Sequence, residues 1–142
     1  MNIFEALRKD HDKQRALMKV VLDTSGDSEV RSSFFKLLKE SLEAHAIAEE
    51  RHFYGPLLQE DETIGLSRHG IAEHHQLDKL IEKLEHTDMS SPQWLPICKD
   101  LASKLEHHLA EEEKEFFQQA GKILSDKQKE DLAEKYEAEM DV

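Results

Sequence analysis

The sequence predicts an all-α protein: an up-down-up-down four-helix bundle with a short extra C-terminal helix. Three observations carry that prediction. Apolar residues recur at steps of three and four over long stretches. Helix-breaking residues are scarce, with five Gly and three Pro in 142 residues. The second half of the chain also repeats the first at a fixed offset, so two similar helical hairpins are expected to pack against each other.

The first helix is expected from about residue 2 to 23, ending at the turn TSGDS. The second should run from about 28 to 54 and stop at Gly55-Pro56, followed by the loop PLLQEDETIG. The third should span roughly 64 to 87. The fourth should start at Ser91-Pro92, an N-cap with proline at the first helical position, and end near Gly121. Ser125 then caps a last helix, DKQKEDLAEKYEAEM. The chain is expected to be one domain over residues 1–142, the bundle occupying about 2–120 and the C-terminal helix about 125–140.

The faces that these helices should bury are not wholly apolar. In the first helix the stripe is Phe4, Leu7, His11, Gln14, Met18 and Val21. In the second it is Phe34, Leu38, Leu42, His45, Glu49 and Phe53. At an offset of 63 the second stripe recurs as Ile97, Leu101, Leu105, His108, Glu112 and Phe116. The first recurs as Ser67, Gly70, His74, Leu77, Ile81 and Leu84. Each half therefore brings one His from its first helix and one His-x-x-x-Glu from its second. An isolated His in such a stripe is usually a hydrogen-bonded core residue, and an isolated His-x-x-x-Glu is usually an exposed pair. Recurrence of both, in register and in seam positions, sets these apart.

Positions i and i+4 share one helix face, so His45 with Glu49, and His108 with Glu112, can point at a common site. His11, His45, Glu49, His74, His108 and Glu112 would then meet in the bundle core. Two unpartnered carboxylates there would cost several kcal/mol each, on the order of the effective penalty for burying an ion. A pair of metal ions removes that cost. Imidazole nitrogen with carboxylate oxygen suits Fe, Mn or Zn, and carboxylates can bridge two ions. The remaining histidines, His52, His69, His75, His86 and His107, are expected in solvent. Phe53, Tyr54, Phe116 and Phe117 are expected as core walls, Trp94 as a packing residue and Cys98 as a buried small one.

The ordered pattern His11, His45-Ala-Ile-Ala-Glu49, His74, His108-Leu-Ala-Glu-Glu112 resembles the hemerythrin-like, HHE cation-binding family. The contexts LRKDHDKQRAL, HAIAEERHFYGPL and AEHHQLDKLIEKL share the resemblance, which covers roughly residues 1–120. It implies an oxo- or hydroxo-bridged pair of iron ions inside a four-helix bundle. The third helix departs from the oxygen-carrying members. They have His-x-x-x-His there, whereas Gly70 stands four residues before His74 and Asp78 four after. Their last carboxylate also follows its His by five residues, the position of Glu113 rather than Glu112. The absent imidazole leaves one iron under-ligated, or closed by another group such as Tyr54, His69, Glu73, Glu113 or Glu115. Open positions on iron favour reaction with oxygen, nitric oxide or peroxide over reversible oxygen carriage. A ferritin-like Glu-x-x-His reading finds Glu49-x-x-His52, but its counterpart after Glu112 is Glu115, so that pattern does not repeat.

The net charge of −12 predicts no nucleic-acid or membrane partner. One cysteine allows no internal disulfide and no cysteine-based metal site. The N-terminal MNIFEALRKDHDKQ has no signal-peptide pattern, which gives the expectation of a cytoplasmic protein. The expected function is binding of, or reaction with, a small diatomic ligand or peroxide, in oxidative or nitrosative stress or iron homeostasis. Two alternatives stand beside it: a di-iron redox or oxygen sensor acting through a protein partner, and iron storage or delivery.

Overall fold

A computed structural model of the chain describes residues 1–141, and these fold without a strand. Helix α1 (Ile3–Leu22) starts where the Asn2 side chain accepts a hydrogen bond from the Glu5 N–H. Helix α2 (Glu29–Glu49) is capped in the same way by Ser28. It runs directly into a π-helical turn, π1 (Glu50–Tyr54), and a single helical turn, α3 (Gly55–Leu57). Helix α4 (Ile64–Glu85) leads back. The fourth rod is α5 (Trp94–Glu111), a second π-helical turn, π2 (Glu112–Phe116), and α6 (Phe117–Ile123). Helix α7 (Asp126–Met140) opens on a capping box between Ser125 and Gln128 and packs across α1 and α2.

The fourth helix starts later than its Ser-Pro signal suggests. Ser91 instead closes a turn, its hydroxyl accepting from the Gln93 N–H at 3.2 Å, and α5 begins at Trp94. The reason is Pro96. Starting at Trp94 puts Pro96 in the first turn, where its missing N–H has no partner to lose; a start at Pro92 would leave a gap in the helix ladder. The same rod passes Gly121 and ends at Ile123, and the second rod continues through Gly55-Pro56 to Leu57. The α2 seam begins on Phe35 rather than Phe34, which is half-buried. Phe35 meets the edge of Trp94 at 5.6 Å, and the Arg31 guanidinium covers the same indole at 4.4 Å.

Two apolar clusters fill the bundle. One gathers Met18, Val21, Leu38, Leu84, Trp94 and Leu101 at one end. The other gathers Ile3, Leu7, Phe53, Tyr54, Phe116 and Tyr136 at the opposite end. Burial of this much apolar surface is the main stabilising contribution, at about 25 cal/mol per Å². Between the clusters lies a polar layer, in which His11, His45, Glu49, His74, His108 and Glu112 are all buried.

Candidate metal centre

The six residues expected from the sequence are brought together, one His or one His-Glu pair from each of the four rods. The imidazoles form two pairs, His11 with His45 at 5.1 Å and His74 with His108 at 5.0 Å between ring centroids. Glu49 joins them: its carboxylate lies 3.5 Å from His45 Nε2, 3.9 Å from His11 Nε2 and 3.1 Å from His74 Nε2. Glu112 does the same from the opposite side, 3.3 Å from His11 Nε2 and 3.6 Å from His108 Nε2. Donor atoms of His11, His45 and Glu49 fall within 4.8 Å of one another, and so do those of Glu49, His74 and His108. Two three-donor sets that share a carboxylate form an arrangement suited to two cations.

Every imidazole presents Nε2 to the centre because its Nδ1 is held from outside. His11 Nδ1 donates to Glu113 at 2.8 Å, His74 Nδ1 to Glu50 at 2.8 Å and His108 Nδ1 to Glu73 at 2.8 Å. His45 Nδ1 donates to the Tyr136 hydroxyl at 2.5 Å, and that hydroxyl donates to Asp10. With the proton fixed on Nδ1, Nε2 is left to offer a lone pair. These outer groups obey the repeat as well: Asp10 and Glu73 precede the two lone histidines, and Glu50 and Glu113 follow the two His-x-x-x-Glu motifs. Acidic residues adjacent to each motif were the sequence signal for them. Of the groups expected to replace the absent imidazole, Glu73 and Glu113 therefore hold imidazoles from outside. Glu115 is exposed, and His69 lies at the surface.

Tyr54 is the one that enters the centre. Its hydroxyl donates to Glu112 Oε2, and its ring stacks on His74 at 5.4 Å and on Phe116 at 5.3 Å. The π-helical turns explain why consecutive aromatic residues, Phe53-Tyr54 and Phe116-Phe117, are all buried. In π1 the Gly55 N–H bonds to the Glu50 carbonyl, and in π2 the Phe117 N–H bonds to the Glu112 carbonyl. The wider turn rotates the following residues inward, a use of π-helix common at functional sites. Tyr54 has no hydroxyl counterpart in the second half, where Phe117 stands.

The donor set fits a metal pair. His11 Nε2, His45 Nε2, His108 Nε2, both Glu49 oxygens and Glu112 Oε1 are buried and make no hydrogen bond within the protein. So many orphaned buried polar atoms would be costly without a ligand. Without metal, the charges are balanced by protons. Burial pushes the His74 imidazole down, but Glu49 and Glu50 outweigh it and hold His74 at about 10. His11 is likewise raised: burial opposes protonation, and Glu112, Glu113 and Glu49 overcome it. Burial and the facing Glu49 charge push Glu112 up. Metal uptake must therefore displace protons.

A pH dependence follows. A His raised from 6.5 to about 10 stabilises the metal-free fold fully below pH 6.5, and that contribution is lost as pH rises through the folded value. Chelator-treated protein is expected to melt at lower temperature near pH 9.5 than near pH 6. Metal-loaded protein, whose imidazoles are already deprotonated, is expected to show no such fall. Equal melting shifts in the two forms would contradict the assignment.

The bundle and its buried donors define a cation-binding helical domain. Residues 2–120 match the family model described as Hemerythrin HHE cation binding domain, and the chain belongs to that family. A solved structure of a hemerythrin HHE cation binding domain-containing protein from Mycobacterium kansasii is similar over 99% of this chain and 86% of its own, with a TM-score of 0.88 and 26% identity. A protein described as a DNA nickase from Nostoc sp. (strain PCC 7120 / SAG 25.82 / UTEX 2576) is 28% identical over 138 residues, 97% of this chain. The chain spans only 39% of that relative's length.

Proposed function

We propose that His11, His45, Glu49, His74, His108 and Glu112 hold two metal ions, natively iron, and that the centre binds or reacts with oxygen, nitric oxide or peroxide. Tyr54 is the further donor in this reading, in place of the absent imidazole. When bound, the iron pair would supply a Lewis-acidic, redox-active position for a small ligand. The chain's own residues do the rest. Glu49 and Glu112 span the two imidazole pairs, the outer acids orient the rings, and Phe53, Phe116 and Phe117 keep water away on one side.

The observation that carries the small-ligand reading is a recess on the other side of the imidazoles. It is lined by Gln14, Leu42, His45, His74, Leu77 and Leu105, among others. It has room for about one water-sized molecule. Gln14 is 1% exposed, and neither of its amide heteroatoms has a hydrogen-bond partner. Its counterpart in the second half is Leu77, so an apolar residue serves the packing equally well. A buried amide left unpaired costs about 1–3 kcal/mol, and a small polar ligand at the centre would receive its hydrogen bond. Iron-loaded protein is expected to change its absorption spectrum with at least one of azide, nitric oxide and peroxide. Gln14→Leu should weaken that binding about tenfold, one hydrogen bond's worth, while leaving the metal-free fold as stable or more so. A spectrum indifferent to all three ligands would contradict the reading.

A second reading, a sensor acting through a partner, is favoured by one observation: Tyr136 of α7 bonds to both His45 and Asp10. A change at the metals would reach α7 through that hydroxyl. Hydrogen exchange in α7 should then differ between oxidised and reduced protein, and identical protection would remove this reading. The cytoplasmic setting is retained as part of the proposal; Cys98, the single cysteine, is buried, and burial pushes its thiol up to about 11, as fits a packing residue.

A further inference from the structure

The two halves of the bundle are alike in the centre and unlike just outside it. Around the first half the relevant positions are Ala6, Ala44 and Ala48, and α7 packs over this side, burying Ala6 and Ala48 beside Leu132, Ala133 and Tyr136. The matching positions of the second half are His69, His107 and Glu111, and no helix among the described residues covers them. With Glu73 they make two more His-x-x-x-Glu pairs, one on α4 and one on α5, facing each other. His69 Nε2 lies 3.0 Å from Glu111 Oε1 and 3.4 Å from Glu73 Oε2, and His107 Nε2 lies 2.9 Å from Glu111 Oε2. Donor atoms of His69, Glu73 and Glu111 all lie within 4.8 Å of one another.

A second observation gives this cluster a destination. A cleft runs from His69, Glu73 and Glu111 past Gly70 to His108 and Glu112. At its inner end His108 Nε2 and Glu112 Oε1 are buried without hydrogen-bond partners. Glu73 belongs to both ends, one oxygen near His69 and the other accepting from His108 Nδ1 at 2.8 Å. Gly70 lies in the wall of the cleft between them, with the Tyr54 ring packed behind it.

We propose that His69, Glu73 and Glu111, with His107 beside them on the second Glu111 oxygen, form an outer site for a divalent transition-metal cation, at the mouth of the path by which the buried centre is loaded. The feeding role rests on the two-metal reading above; the outer site itself does not. Mixed imidazole and carboxylate donors select a first-row cation over calcium or magnesium. The net charge of −12 draws cations toward the protein, and the cluster holds one where the bundle is open. On the other side α7 closes the equivalent entrance, so loading is one-sided.

The test uses the full chain and a His69→Ala/His107→Ala variant. Both residues are largely exposed, at 52% and 72% of the side chain, so the fold is expected to survive, and circular dichroism checks this. Glu73 is left alone because it orients His108. Zinc bound at equilibrium is measured on iron-treated protein, and the rate of ferrous ion uptake on metal-free protein. Wild type is expected to hold one more zinc per chain than the variant. The variant should take up iron about tenfold more slowly and to the same final content, as expected when a local cation-attracting site is lost. Equal zinc content overturns the outer site, and equal uptake rates overturn its feeding role. A failure of the buried centre would look different: neither protein would retain iron, while the one-zinc difference would persist.

Discussion

Gly70→Ala, the addition of one methyl group, is expected to destabilise the protein by about 3 kcal/mol, near the upper end for overpacking a core. A Cβ at Gly70 would lie 2.5 Å from Tyr54 Cζ, 2.6 Å from its hydroxyl oxygen and 2.7 Å from Cε2. The ring has little freedom to step aside, because His74 and Phe116 both stack on it. Gly in mid-helix ordinarily costs up to about 1 kcal/mol relative to Ala, so this substitution would be favourable at an open position. Here the sign reverses. For a chain of this length the melting temperature should fall by about 10 °C. Tyr54 should also lose its bond to Glu112, lowering metal retention. In a Tyr54→Leu background the methyl should cost much less, the coupling expected of side chains in direct contact. A Gly70→Ala protein that melts with wild type would show that Tyr54 does not occupy this space.

The second large effect is expected from Glu49→Ala in metal-free protein. Glu49 is fully buried and faces His11, His45 and His74. Its own carboxyl is held well below the usual range: burial opposes ionisation, and His45 with the other neighbours overcomes it. Removing one partner from such a buried set costs about 3–5 kcal/mol. The loss should be greatest near pH 6 and shrink toward pH 9, because imidazoles left without Glu49 can shed their protons. Chemical denaturation at the two pH values measures it. A loss that is small at pH 6 would mean that the layer is not charged as described.

Much of this architecture is legible in the chain itself. The two seams and their offset of 63 identify all six inward-facing donors, because burying His and Glu at matching positions of two seams is costly unless they share a ligand. The outer ring is less visible. Asp10, Glu50, Glu73 and Glu113 sit one residue from the motifs, where an α-helix of 3.6 residues per turn would aim them about 100° away from the centre. Their role depends on where the neighbouring helix stands, which no single helix pattern encodes. Tyr136 is a plainer case. It lies in an acidic stretch with little apolar periodicity, and only the docking of α7 on α1 and α2 brings it to His45. The burial of both Phe53 and Tyr54 depends on a π-helical turn, and the start of α5 at Trp94 depends on a proline two residues further on. In each case a backbone constraint outweighs the local signal. Gly70, four residues before His74, reads in the sequence as a position that brings no donor. In the fold the space beside it is filled by Tyr54 of the preceding rod.

The most direct test of the two-metal centre is the metal content per chain of wild type and of a Glu49→Ala/Glu112→Ala variant, both purified from iron-supplemented growth. The two acids are the groups that span the imidazole pairs, so their joint removal leaves no bridge. Wild type is expected to carry about two irons, as for other two-metal carboxylate sites, and the variant none while still showing a helical circular dichroism spectrum. Absence of metal from both proteins, or equal metal in both, would contradict the assignment of these six residues as ligands.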